Sequence, residues 1–227
     1  MARFVHLAGR VSYQRAHALQ RSLLAARIAG EAPDTVLLLE HDPVITVGRR
    51  QHAADNVLQP GDVPVVPVER GGDVTWHGPG QLVAYPIVKL VGERADLHRH
   101  LHALEDAVIS LIAELGLDPR RDARNTGVWL PDASGDNHKV CSIGIACRKW
   151  VTWHGLALNV DPDLGGFGRI HPCGFDAAVM TRLADHLAPC PSLDDLVEPL
   201  AHHLARTLDV PLQRLEEVAG PEALVPG

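Results

Sequence analysis

Residues 127–160 read GVWLPDASGDNHKVCSIGIACRKWVTWHGLALNV, and this stretch decides the fold class. Its segments 127–130, 139–147 and 154–160 are short, apolar and rich in β-branched or aromatic residues, so each reads as a strand. The polar segment 132–138 carries the turn-formers Asp132, Ser134, Gly135 and Asp136 and joins the first two as a hairpin. Strands that follow one another without an intervening helix build an antiparallel or mixed sheet, whereas strict alternation with helices builds a doubly wound parallel one. The expected class is therefore α+β, a mixed and largely antiparallel sheet packed with helices.

Upstream, segments 3–7, 35–39, 44–47 and 82–88 also read as strands, with Asp42-Pro43 as the turn between the second and third. Segment 63–68 reads as an edge strand because Pro64 and Pro67 cannot donate to a ladder. Helical spacing predicts three helices. Ala16, Leu19, Leu23, Leu24 and Ala26 mark the first, which ends at Gly30; Leu97, Leu101, Leu104, Val108, Leu111, Ile112 and Leu115 mark the second, which ends at Gly116. Leu193, Leu196, Val197, Leu200, Leu204 and Leu208 mark the third. Residues 1–30 contain Arg3, Arg10, Arg15, Arg21 and Arg27 and no acid, which is the balance of a transit segment. Their apolar residues are nevertheless placed for a strand and a helix. A length of 227 residues suits one large domain or two small ones. The reading is a single catalytic domain over 1–215, with 216–227 as a loose tail.

Composition narrows the function classes. Lys and Arg number 21 against 28 Asp and Glu, a formal charge of −7, which disfavours nucleic acid as a partner because such binding rests on phosphate neutralisation. No apolar run is long enough for a transmembrane helix, so no membrane role is expected. The cysteines Cys141, Cys147, Cys173 and Cys190 contain no CxxC pair and do not read as a disulfide scaffold, so a reducing cytoplasm is the expected setting. HExxH is absent and no Cys/His set has zinc-ligand spacing, so no metal is expected. His98, His100 and His102 alternate, which scatters them round a helix, and they read as solvated, as do His202 and His203.

Three segments carry chemistry. Arg70-Gly71-Gly72-Asp73-Val74-Thr75-Trp76-His77-Gly78-Pro79-Gly80-Gln81 is a glycine-rich stretch with polar side chains, suited either to close approach of backbone to a ligand or to a pair of tight turns. It is neither GxxxxGK[ST] nor GxGxxG, so no nucleotide site is indicated. On strands, Ser142, Gly144 and Ala146 share one face, and Gly155 and Ala157 share another. Such small residues leave a slot for an aliphatic chain or permit close packing against a helix. In His171-Pro172-Cys173-Gly174-Phe175, a cysteine between Pro and Gly lies on a constrained turn that can present its sulfur outward as a nucleophile.

Together these segments resemble the octanoyl (lipoyl) transferase family, a branch of the biotin and lipoate protein ligase superfamily. The carrying residues are Arg70-Gly-Gly-x-x-Thr-x-His-Gly-Pro-Gly-Gln81, Lys139-x-x-Ser-Ile-Gly144, His154-Gly-Leu-Ala-Leu-Asn159 and Pro172-Cys-Gly174, and the match runs from about residue 5 to about residue 208. The resemblance implies a biotin/lipoate protein ligase-like catalytic fold and an acyl-thioester intermediate on Cys173, activated by Lys139. It also implies acyl-chain contacts from Arg70, Gly71, Gly72, Asp73, Val74, Thr75, Trp76 and His77, from Ser142, Ile143 and Gly144, and from Gly155, Leu156 and Ala157. Asp73 and Trp76 fill positions that the motif leaves open.

The implied reaction moves octanoyl from octanoyl-acyl carrier protein to a lysine of a lipoyl domain or of the glycine-cleavage carrier protein. Thioester to amide runs downhill, so the resemblance implies no cofactor and no ATP. Both carriers are acidic in this family setting, which makes Arg49, Arg50, Arg148 and Lys149 an expected basic rim. The rival readings are an ATP-dependent lipoate or biotin ligase of the same fold, a non-catalytic acyl-carrier-binding module, and a Cys–His hydrolase using His77 or His154 as base. The Gly174 and Gly78 amides are the expected oxyanion donors.

Overall fold

Helix α1 (Tyr13–Ala29) packs against one face of a large sheet, and helices α2 (Leu97–Glu114) and α3 (Leu193–Thr207) pack against the other. The coordinates are a computed structural model that describes residues 2–224. In chain order the strands are β1 (Ala2–Val11), β2 (Asp34–His41), β3 (Val44–Val47), β4 (Val65–Pro67), β5 (Val74–His77), β6 (Gln81–Ile87), β7 (Arg120–Asp122), β8 (Asn125–Pro131), β9 (Asn137–Arg148), β10 (Val151–Asn159) and β11 (Leu212–Val218). Among the described residues, eight strands form the large sheet in the order β11-β1-β2-β6-β10-β9-β8-β7, and β4-β3-β5 form a small one. Only β11-β1 and β1-β2 in the large sheet and β3-β4 in the small one are parallel. The remaining pairs are antiparallel, as consecutive hairpin strands such as β8-β9-β10 require.

The apolar run in β2 explains why the sheet is covered twice. Val36 and Leu38 enter the core shared with α2 and α3, while Leu37 and Leu39 enter the core shared with α1. Successive side chains of a strand point to opposite faces, so a strand buried on both faces is apolar throughout. Helix ends follow local chemistry. Gly30 closes α1 at φ 82° with its N–H on the Ala26 and Arg27 carbonyls. Asp96 caps α2 by accepting from the His98 and Arg99 amides, and Ser192 and Asp195 form a capping box on α3. A third core (Ile45, Val74, Trp76, Phe167, Ile170 and Met180) seals the small sheet against the 3-10 turns that follow β10.

Several expectations change. Residues 74–77, read as part of a glycine-rich loop, form strand β5, because its pairing with β3 supplies the ladder that the sequence alone does not display. The tail expected over 216–227 is not a loose one where the structure describes it. Glu216–Val218 belong to β11 and pair in parallel with β1, and Leu224 is buried against the α1 core; residues 225–227 lie outside the described residues. Residues 1–30, weighed as a transit segment, supply β1 and α1 from residue 2 onward. His100 and His203 are buried rather than solvated: His203 pairs with Glu114, and burial holds His100 neutral with a pKa of about 4. No helix among the described residues is long and apolar enough to cross a membrane.

Candidate active site

The register of β8 on β9 ends at Gly127↔Ser142, so the rest of β9 runs on beside a cleft of about 240 Å³. Lys139 is buried on β9, and its ammonium donates to Asn125 Oδ1 at 2.6 Å. The Cys173 thiol donates to the same oxygen at 3.6 Å. Two residues remote in sequence thus meet on one amide oxygen at the cleft wall.

Room for Lys139 comes from Gly127, whose φ of 138° suits glycine alone and where a Cβ would lie 2.6 Å from Lys139 Cε. Burial works against the Lys139 ammonium and lowers its pKa, while the sulfurs of Cys173 and Cys141 and the Glu105 carboxylate pull the other way. Trp129 lies beneath it, with the ring centroid 5.2 Å from Nζ.

Cys173 sits in the 3-10 turn Pro172–Gly174 at φ 57° and ψ 23°, a left-handed conformation that costs a non-glycine residue about 1 kcal/mol or more. The turn is held by Gly174 N donating to His171 O and Phe175 N donating to Pro172 O, both 3.0 Å. The Gly174 amide is therefore committed and is not a free oxyanion donor, and Gly78 lies against the Trp76 ring instead of lining the cleft. The other cysteines differ in kind. Cys141 is fully buried in β9, and burial pushes its thiol up to about 12.

The stretch from Arg70 to Asp73 is a loop held by its own arginine. The Arg70 guanidinium donates to Asp73 O (2.7 Å), Gly71 O (3.2 Å), Thr46 O (2.9 Å) and Thr46 Oγ1 (3.0 Å), and burial lowers its pKa. Gly71 N donates to Ile145 O at 2.8 Å, which pins the loop to the free edge of β9. Asp73 is equally structural: its carboxylate accepts from Asn56 Nδ2, Val74 N and Arg50. Arg70, Gly71, Gly72, Asp73, Val74, Thr75 and His77 all line the cleft. Trp76 does not. It points into the third core, edge-on to Phe167 at 5.4 Å, because alternation along β5 sends it away from Thr75 and His77.

Ser142, Ile143, Gly144, Gly155, Leu156 and Ala157 line the cleft together. Two of the small residues also serve close packing. A Cβ on Gly144 would meet Gly71 O at 3.1 Å, and one on Gly155 would strike Ala84 O and lie 2.8 Å from Pro86 Cδ. The slot and the packing interpretations of these positions are thus both realised.

The remaining wall is aromatic and histidine-rich. Tyr13, His77, Tyr85 and His154 line it, with Tyr13 and His77 stacked at 6.3 Å. Behind it, His41 bridges Val11 O and Tyr85 Oη, each at 2.8 Å. Burial holds His41 neutral with a pKa of about 4, takes His154 to about 3 and lowers His77 well below the usual range. Gln81 and Asn159, the polar ends of two motifs, bond to each other at 2.9 Å and tie β6 to β10 without lining the cleft.

Asn125, Tyr13 and Tyr85 are cleft residues that sequence reasoning missed, and only the proximity of Asn125 to the Gly127 strand start could have drawn notice to it. His17, Glu69 and His154, which no spacing rule links, converge with their ligand atoms all within 4.8 Å of one another.

The fold and cleft place the chain in a class: residues 12–205 match the lipoyl protein ligase A/B catalytic domain. Solved structures agree at the level of fold. Lipoate-protein ligase A bound with ATP superposes with a TM-score of 0.77 at 17% identity, covering 99% of this chain and 92% of that one. The biotin protein ligase of Aquifex aeolicus gives 0.52 at 12% identity, covering 91% and 68%. Sequence relatives are more specific. The octanoyltransferase of Geobacter metallireducens is 44% identical over 208 residues (92% of this chain, 94% of that protein), and that of Thermobifida fusca 45% identical over 201 residues (87% and 85%). The chain belongs to the octanoyltransferase family, and its activity is octanoyl transfer.

Proposed function

We propose that Cys173 and Lys139 carry the transfer as a pair, taking octanoyl from octanoyl-acyl carrier protein and delivering it to a lysine of a lipoyl domain or of the glycine-cleavage carrier protein. The observation that carries this reading is the shared contact of Lys139 Nζ and Cys173 Sγ with Asn125 Oδ1. In the first half-reaction the Cys173 thiolate attacks the donor thioester carbonyl, the carrier thiol leaves, and the acyl group remains as a thioester on Cys173. The ammonium of Lys139 favours the thiolate before attack and can supply the proton that the leaving thiol takes up. In the second, the acceptor amine attacks that thioester, Cys173 departs as thiolate, and the amine proton passes to a neutral Lys139. Burial already lowers the Lys139 pKa, which eases the loss of its proton.

Chain recognition follows from apolar burial against Val74, Ile143, Leu156, Ala157 and Met180. At about 0.8 kcal/mol per methylene, the octanoyl tail contributes on the order of 5 kcal/mol, and shortening it by two carbons costs roughly tenfold. Arg50 lies at the cleft beside exposed Arg49, and Arg148 and Lys149 are exposed at the β9–β10 turn. These side chains are the proposed contacts for acidic carriers, and added salt weakens them.

Intact-mass measurement after incubation with octanoyl-acyl carrier protein tests the pair. An octanoyl adduct in the native chain, absent from Cys173→Ser, is expected. An adduct that persists in Cys173→Ser, or transfer that proceeds without one, overturns the reading.

A further inference from the structure

His17 of α1, Glu69 just before the arginine loop, and His154 of β10 lie far apart in sequence and converge at the cleft wall, where His154 alone of the three lines the cleft. His17 Nε2 lies 2.9 Å from Glu69 Oε2, and His154 Nε2 lies 3.8 Å from the same oxygen. The His154 side chain is 2% exposed, and its Nε2 is buried with no hydrogen-bond partner. A buried imidazole nitrogen without a partner is destabilising, and this one lies near a carboxylate and a second imidazole. The two histidine rings have centroids 5.8 Å apart and are 25° from parallel.

We infer that His17 Nε2, Glu69 Oε2 and His154 Nε2 form a binding site for one zinc-class divalent ion. The donor set is two imidazoles and one carboxylate, which suits Zn²⁺ and excludes the all-oxygen shells of Mg²⁺ and Ca²⁺. Zinc sits about 2.0–2.2 Å from such ligands, so ligand atoms around it are roughly 3.3 Å apart. Glu69 Oε2 already lies 2.9 and 3.8 Å from the two imidazole nitrogens, and all three ligand atoms lie within 4.8 Å of one another, so a bound ion would draw them inward. Three protein ligands leave a fourth position for water.

The placement gives the ion a mechanical role. It would join α1, β10 and the residue next to Arg70, so it would brace two walls of the acyl cleft without touching Cys173 or Lys139. This inference is independent of the Cys173 chemistry and can fail while that chemistry stands.

Zinc titration by calorimetry on the full chain, with Co²⁺ as the spectroscopic substitute, provides the test. One ion per chain is expected, with a four-coordinate Co²⁺ visible band and no thiolate charge-transfer band. His17→Gln and Glu69→Gln should each weaken binding about 100-fold or more, since loss of even an outer-sphere partner costs roughly 10–100-fold. Zinc should raise the Tm of the native chain and leave that of both variants unchanged. Absence of binding overturns the inference, as does binding that both variants retain or a thiolate band that places the ion on cysteines. His17 and Glu69 do not line the cleft, so octanoyl transfer by the variants reports that they have folded.

Discussion

The cleft has two unlike parts. On the loop side the charged groups are tied down: Arg70 makes four hydrogen bonds to the chain around it, and the Asp73 carboxylate accepts from three residues. At the Cys173–Lys139 corner one amide oxygen serves two reactive groups, the cysteine is held in a left-handed turn, and the lysine is buried against its own charge. The difference teaches where this fold spends its hydrogen bonds. A loop that shapes an acyl chain must stay rigid, so its arginine and aspartate are held by the chain around them. A corner that changes charge during the reaction must keep polar groups under-committed.

The sharpest way to break that contrast is at the corner. Cys173→Ser should lower transfer on the order of 10⁴-fold or more with little change in urea midpoint, because the loss is chemical. A residual rate near that of the native chain would place the nucleophile elsewhere. On the wall the sign reverses. Arg70→Met should cost about 3 kcal/mol of stability, read as a fall in urea midpoint, because it strands the Asp73 and Thr46 carbonyls in a buried loop. If Arg70→Met instead abolished acylation at unchanged stability, the wall would be chemical as well.

Asn125→Ala sharpens the comparison by removing only the shared acceptor. The expected loss is about 10–100-fold in kcat, from a hydrogen bond to a charged group worth about 1.5–3 kcal/mol, with the pH–rate profile displaced. A purely structural Asn125 would lower stability and leave the profile where it was.

The smallest effect concerns the histidine wall. His41 has a folded pKa of about 4 against about 6.5 unfolded, so below pH 6.5 the unfolded chain binds a proton that the folded chain refuses. Stability is full above pH 6.5 and falls as pH drops toward 4, by up to about 1.4 kcal/mol per pH unit for each such histidine. His41→Leu should flatten that slope in urea midpoints measured from pH 7 to pH 5, whatever it does to the absolute midpoint.

Much of this was legible beforehand, for reasons that particular residues make plain. β3 is legible at its observed limits because the turn pair Asp42-Pro43 precedes a four-residue β-branched run. The helices are legible because leucines at helical spacing line one apolar face. β5 and β11 escaped because a strand that takes its order from a partner need not show period two: Val74–His77 is buried at every position. Trp76 was assigned to the acyl chain by motif, and alternation on an unrecognised strand turned it into the third core. The reading of His100 as solvated failed because surface spacing on a helix says nothing about what packs over it.

The sequence by itself determined the three helices, most of the strands, the α+β class and the motifs that hold Arg70, Lys139, His154 and Cys173, because periodicity, turn residues and caps act between near neighbours. Only the tertiary structure decided that Asn125 stands between Lys139 and Cys173, that Arg70 binds its own loop, and that His17, Glu69 and His154 meet. Those meetings join residues up to 137 positions apart, and their distances are fixed by sheet order and core packing, which no local pattern in the chain encodes.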